Sequence, residues 1–331
     1  MSTAGAPPTG STKNSLLLRW TAAALIGLLL YACLYAVQEV LVREYGRRNP
    51  FYKVARAATD RSYLLVLGAS HALPLEFQDI RSSVETGLGG PVLVLALPGA
   101  GIIPNYVLLD AALRKLSPQR VRAVVYMLDS FGFYSREWNE DRLNDVRLWQ
   151  RAPWDNDLAR SVWYATAHLR VTRSVFWNYA SGFSKINDPA SWRQPDVWPD
   201  EGKFDRAYQP DEWKDQTRVA FLYPRGADTE AFDRYLSTFV RLVGDLKAER
   251  IPVVVVKPPL RRAFAARLPG ELEFNRRIQQ TLGRLDAPFH DFADVSFDDS
   301  FFYDPDHLNR KGVVRFVSEY LRPALDPHRE F

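Results

Sequence analysis

The stretch Leu64-Leu65-Val66-Leu67-Gly68-Ala69-Ser70-His71 constrains the fold more than any other part of the chain. Four apolar residues in succession read as a buried strand. Gly68 lets the chain turn sharply, and a serine then sits where the strand ends. In open α/β sheets, substrates bind at the carboxyl ends of the strands. A second segment lies near the other end: Phe301-Phe302-Tyr303-Asp304-Pro305-Asp306-His307-Leu308-Asn309-Arg310-Lys311-Gly312. Here an aspartate precedes a histidine by three positions, just before a predicted helix. One end of the chain offers a nucleophile, and the other offers a base with an acid to orient it.

The rest of the chain alternates in the same rhythm. Strands are expected at 63–67, Pro91 to Leu97, Arg122 to Leu128, Ile251 to Lys257 and Pro288 to Phe292. Helices are expected at 104–116, 229–249, 271–285 and 311–322. Val- and Leu-rich strands without alternation fit a parallel sheet covered on both faces. In the third quarter, Phe232, Leu236, Phe239, Val240, Val243 and Leu246 recur at helical spacing. The expected fold is α/β, a three-layer α/β/α parallel sheet of flavodoxin-like strand order built from residues 62–134 and 225–325.

Residues 135–224 break the rhythm. Eight of the nine tryptophans fall here: Trp138, Trp149, Trp154, Trp163, Trp177, Trp192, Trp198 and Trp213. The stretch also carries Pro195, Pro199, Pro210 and many charges. A structureless loop of this length is improbable in a compact domain. It reads as an insertion or lid over the carboxyl ends of the strands. Its tryptophans either line a platform for sugar or lipid, or fill the insertion's own small core.

The amino terminus points to a membrane. Residues 1–15 are rich in Gly, Pro, Ser and Thr and read as a disordered tail. Trp20 to Val37 is an uncharged run of 18 residues, and a helix of roughly 20 apolar residues spans a bilayer core. Residues 16–42 are therefore expected to be a transmembrane anchor that contributes nothing to the α/β core, with 43–61 as a linker. A cleaved signal peptide fits less well, because the run is too long and no small-x-small site follows it. Cys33 reads as a membrane residue. Lys13 and Arg19 precede the run, while Arg43, Arg47, Arg48 and Lys53 follow it. Counted literally these charges put the domain inside, but large domains cross with little regard to flanking charge.

Charge and cysteine usage narrow the partners. The net charge of +4 is mild and the basic residues are scattered, with no block that tracks a phosphate backbone. Nucleic acid is not an expected partner. A single cysteine excludes an intramolecular disulfide and fits either a reducing compartment or a large exported domain.

A serine hydroxyl is a poor nucleophile until a base takes its proton. His307 can do so, and Asp304 can hold its imidazole in the useful tautomer. The oxyanion of the tetrahedral intermediate needs donors, for which backbone N–H groups at Ser70 and at the turn Leu97-Pro98-Gly99-Ala100-Gly101 could serve. Other roles fit the same residues: Ser70 as a helix N-cap, and Asp304 with His307 as a capping turn. His71 reads as structural. Arg261 and Arg262, after Lys257-Pro258-Pro259, could hold an anionic substrate or form a solvated basic loop. This chemistry calls for no cofactor and no metal ion.

Gly68-Ala69-Ser70, the Pro98-Gly99 turn and Asp304-Pro305-Asp306-His307 resemble the first, second and fifth blocks of the SGNH (GDSL-type) hydrolase superfamily. The Gly-x-Ser-His variant, Leu128-Asp129-Ser130-Phe131 and His307-Leu308-Asn309-Arg310-Lys311-Gly312 resemble its membrane-anchored, cell-envelope branch. That branch includes DltD-like D-alanyl transfer proteins and AlgJ/AlgX-like polysaccharide O-acetyltransferases. The resemblance covers about residues 62–132 and 250–322. It implies Ser70 as nucleophile, His307 as base, Asp304 as orienting acid and Gly99 as an oxyanion donor. At the third block the superfamily usually offers an asparagine, and this chain has Asp129. An ionised carboxylate would repel an oxyanion, so Asp129 is turned away, protonated, or bypassed by backbone donors. The branch often has aspartate here.

The resemblance further implies a single-pass protein of the cytoplasmic membrane with an extracytoplasmic, periplasmic catalytic domain. The implied activity is acyl transfer or ester hydrolysis on an envelope glycan, polymer or lipid, through an acyl-Ser70 intermediate. A polytopic membrane acyltransferase is the implied source of the acyl group. The alternative is a membrane-tethered accessory or binding protein that keeps the shell with weak chemistry.

Overall fold

The apolar runs pair side by side. The computed structural model describes residues 11–46, 49–187 and 201–326. In it β1 (Tyr63–Gly68), β2 (Val92–Ala96), β3 (Val121–Met127), β4 (Val253–Lys257) and β5 (Phe289–Asp291) form one sheet. Its order is β2-β1-β3-β4-β5, and every pairing is parallel. Leu65, Leu67, Val124, Tyr126, Val253 and Val255 enter one core. Leu64, Val66, Ala123, Val125, Met127, Val254 and Val256 enter a second. Both faces are therefore covered, which is why the strands read as unbroken apolar runs.

Helices Ile102–Lys115, Thr229–Ala248 and Glu271–Arg284 close the first core through Leu108, Phe239, Leu246, Phe274 and Ile278. Val84, Val313, Phe316 and Leu321 close the second. Residues 135–224 hold helices Asn156–His168, Arg173–Ser181 and Glu212–Leu222, with no strand among the described residues. The first and last of these open on Asp155 and Asp211, whose carboxylates accept from Leu158 N and Lys214 N. Leu158, Val162 and Ala165 join the first core, so this region packs on the sheet domain. Trp192, Trp198, Pro195 and Pro199 lie outside the described residues.

Helix α1 (Ser11–Tyr45) carries a span, Ser15–Tyr45, long and apolar enough to cross a membrane. Leu17, Leu18, Trp20, Leu25 and Leu28 are exposed along it. Two expectations change at its end. The stretch 43–61 is not simply a linker, because it holds α2 (Pro50–Arg56). Asn49 caps α2 by accepting from Phe51 N at 2.9 Å, and proline fills the first helical position. Phe51 and Val54 are fully buried in the first core, where Phe51 stacks on Trp149 at 4.8 Å between ring centroids.

Nor does α1 stand apart from the domain. Gln38, Glu39 and Val42 are buried. Glu39 accepts from Trp154 N at 2.9 Å and pairs with Lys185, while Arg43 donates to the Trp154 carbonyl at 3.2 Å. Positions 35, 38, 39 and 42 share one helical face, and that face is the docked one.

Candidate active site

The sheet order turns back between β1 and β3, and such a point leaves a crevice at the carboxyl ends of the strands. Ser70 follows β1 there. Gly68 makes the turn possible: its φ is +150°, and a Cβ would lie 2.9 Å from the Met127 carbonyl oxygen. Asn105, buried in the helix after β2, accepts from Gly68 N at 3.0 Å and donates to the Gly101 carbonyl at 2.8 Å. It ties the two loops together. Ser70 opens a short 3-10 turn, Ser70–Glu76, but makes no capping bond there. Its hydroxyl instead faces His307 Nε2 at 2.8 Å.

His307 comes from the loop beyond β5. Asp304 shapes that loop, accepting from Asp306 N at 3.1 Å and His307 N at 2.8 Å. The same carboxylate takes the His307 Nδ1–H at 2.8–2.9 Å, which places the free lone pair of Nε2 toward Ser70. The following helix, Arg310–Phe316, is capped by Asn309, not by Asp304 or His307. Asn309 also donates to the Ser300 carbonyl at 2.7 Å. Ser70, His307 and Asp304 thus stand in line.

Two residues that sequence reasoning passed over complete the surroundings. Asp306 is fully buried, with one carboxylate oxygen 3.3 Å from His307 Nδ1. Arg218, on helix Glu212–Leu222, grips it with Nε at 2.9 Å and 3.0 Å and Nη2 at 2.9 Å. Burial would raise the Asp306 carboxyl, but Arg218 and then His307 hold it well below the usual carboxylate range. At His307, burial works against the charged ring. Asp304 and then Asp306 outweigh it and push the imidazole up to about 9. Asp306 stood inside the Asp-x-x-His motif, so its position was visible. Its partner lay 88 residues away, in the region with no recognisable pattern.

His71 and Asp129 form a second pair. His71 Nδ1 lies 2.6 Å from Asp129 Oδ1, and Nε2 donates to the Asp306 carbonyl at 3.0 Å. Both ring nitrogens of His71 therefore face oxygen atoms. The His71 ring packs on His307 at 4.7 Å between centroids. Asp129 is therefore turned toward His71, behind His307. Its other oxygen is buried with no hydrogen-bond partner.

Arg261 corrects an expectation. It is buried rather than part of a solvated loop, and carboxylates hold its Nη1 and Nε. Nη1 binds Asp215 at 2.9 Å and Nε binds Asp299 at 2.6 Å, with Tyr208 beneath the guanidinium.

A cleft of about 660 Å³ opens over Ser70. Gly99, Trp138, Arg218, Phe221 and Leu222 share its lining, so residues of 135–224 wall the cleft together with the sheet loops. Gly99 has φ +61°, and a Cβ there would meet the Trp138 ring at 2.5 Å. Only glycine fits. Trp138 Nε1 donates to the Leu222 carbonyl at 2.8 Å, pinning the wall. The other described tryptophans are placed elsewhere. Trp149 and Trp154 pack inward against Phe51 and Tyr179, while Trp163, Trp177 and Trp213 are exposed.

Among the described residues, His71, Asp306 and His307 bring ligand atoms within 4.8 Å of one another, a spacing a metal ion could use. Arg218 already places a positive charge on that carboxylate, which disfavours a second cation there. No family model matches the chain, and no curated protein matches it.

Proposed function

We propose that the chain is a membrane-anchored serine acyltransferase or esterase of the SGNH type, acting on an envelope glycan, polymer or lipid. The observation that carries the reading is the line Ser70 Oγ–His307 Nε2–His307 Nδ1–Asp304, at 2.8 Å and 2.8–2.9 Å. The strand order β2-β1-β3-β4-β5, with apolar cores on both faces, supports a flavodoxin-like three-layer domain for it.

In the proposed reaction Ser70 Oγ attacks the acyl carbonyl carbon and passes its proton to His307 Nε2. The N–H groups of Ser70 and Gly99 face the developing oxyanion. The tetrahedral adduct collapses, and the leaving alcohol departs with the proton from His307. A second hydroxyl, from water or a sugar, then gives its proton to His307 and takes the acyl group, and His307 returns that proton to the departing Ser70 Oγ. Asp304 holds the ring throughout. Water as acceptor gives hydrolysis, and a sugar hydroxyl gives transfer. On this reading the apolar span of α1 anchors the domain on the extracytoplasmic side, where a polytopic acyltransferase supplies the acyl group. The accessory-protein alternative draws on Asp129 and on the tryptophan-rich insertion, and the Asp129 carboxylate is engaged by His71.

The test is labelling of the full chain with a serine-directed fluorophosphonate, alongside p-nitrophenyl acetate turnover. Labelling at Ser70, lost in Ser70→Ala and His307→Ala, is expected. Turnover unchanged in Ser70→Ala would overturn the covalent mechanism.

A further inference from the structure

Toward the carboxyl end of its apolar run, α1 lies against helix Arg173–Ser181 and the turn after it. The Tyr31 hydroxyl donates to the Ser181 carbonyl at 2.8 Å. Beside this contact Trp177 and Phe183 are 62% and 61% exposed. They flank a groove of about 490 Å³ whose walls are chiefly Leu143, Val146, Trp149 and Val175. Scattered apolar residues on a surface need no explanation, but a groove with two large aromatics at its mouth does.

The depth of Tyr31 supplies one. A bilayer core about 30 Å thick takes ~20 helical residues. Counted from Leu16, past Lys13 and with Arg19 reaching back to the headgroups, it ends near Tyr35. Tyr31 then lies one turn inside that end, ~6 Å deep at 1.5 Å per residue. The Ser181–Phe183 turn bonded to it shares the boundary layer where aromatic side chains gather.

We propose that this groove faces the leaflet α1 enters and takes the acyl chain of a phospholipid from it. The proposal rests on the anchor reading of α1. Its bearing on the site is direct, because one segment separates the two concavities. Val146 and Trp149 wall the groove, while Arg142, Arg147 and Leu148 of the same segment wall the Ser70 cleft. Seating the groove in the leaflet would hold the cleft against the membrane surface, open to lipid-linked substrates.

The full chain is reconstituted in nanodiscs of phosphatidylcholine carrying a diazirine midway along one acyl chain. After irradiation, cross-linked residues are mapped by mass spectrometry. Adducts are expected on α1 between Leu25 and Val37 and also on Val146, Trp177 or Phe183. Phe183→Asp should cut the groove adducts severalfold and spare those on α1. Adducts confined to α1 overturn the lipid groove and leave the anchor standing, whether residues 188–200 or nothing fills it. Adducts on neither overturn the anchor reading, and the proposal falls with it. Groove adducts without α1 adducts overturn the spanning helix and, with it, the proposal that the groove faces the leaflet α1 enters.

Discussion

His307 is where charge, burial and proposed reactivity meet. Two carboxylates stand within 3.3 Å of its Nδ1, and together they push its pKa up to about 9 against the effect of burial. A base must be neutral to take a proton. The kcat/KM for p-nitrophenyl acetate, corrected with Ser70→Ala, should therefore climb about tenfold per pH unit and level off near pH 9. Asp306→Asn removes one carboxylate while keeping an oxygen for Arg218, so the plateau should begin at lower pH. A profile that is flat from pH 6 to 9 would rule out His307 as the base. The same shift acts on stability with a definite sign. A folded pKa raised from 6.5 to about 9 contributes stability that is full below pH 6.5 and lost as pH rises through 9. The amount is about 3 kcal/mol. His307→Gln should lose that alkaline decline in urea unfolding followed between pH 6 and 10, where the wild type shows it.

At the scale of elements, helix Glu212–Leu222 does the most for the site. It brings Arg218 to Asp306 and puts Phe221 and Leu222 in the cleft wall. Phe221 is 56% exposed and meets Trp138 edge to face at 5.1 Å. Phe221→Ala should leave p-nitrophenyl acetate turnover nearly unchanged and harm turnover of an acetylated oligosaccharide, since only the larger substrate reaches the wall. Equal loss on both substrates would show that Phe221 acts on the reacting centre instead. This helix also marks where the sequence stopped being readable. The strands were legible because burial on both faces leaves unbroken Val and Leu runs. Ser70, Asp304 and His307 were legible because each sits in a short local pattern. Arg218 was not, since a guanidinium on a polar helix looks solvated until the fold brings a buried carboxylate to it. Arg261 was misread for the converse reason: two arginines after a strand look solvated or free for a substrate, and only the fold supplies Asp215 and Asp299. The capping signal at α2, Asn49 followed by Pro50, stands in the sequence inside the stretch expected to be a linker. Asn49→Ala should cost about 1 kcal/mol in urea unfolding, because a buried N-cap acceptor is lost.

At the scale of the whole molecule, α1 and the domain share buried charge. Lys185 is 1% exposed, and its pKa is lowered because burial outweighs the support of Glu39. Lys185 also lies over the rings of Tyr35 and Tyr179, at 5.5 Å and 5.9 Å from their centroids. A buried ion pair contributes little net stability, yet removing one member strands the other charge at a cost of about 3–5 kcal/mol. Glu39→Gln in the full chain should therefore lower the thermal midpoint sharply, and Lys185→Met added to it should recover most of the loss. That cycle separates docking from simple tethering. If α1 only tethered the domain, Glu39→Gln would be silent, and so would cutting the chain after residue 42. The observed packing predicts that such a cut destabilises the domain, because it takes the buried Val42 side chain and the Glu39 carboxylate away together. A chain cut inside the apolar run, keeping residue 31 onward, should retain both and unfold near the full-length midpoint. The orientation of the Ser70 cleft over the membrane would then be set by a fixed joint between α1 and residues 153–185, with no hinge between anchor and site.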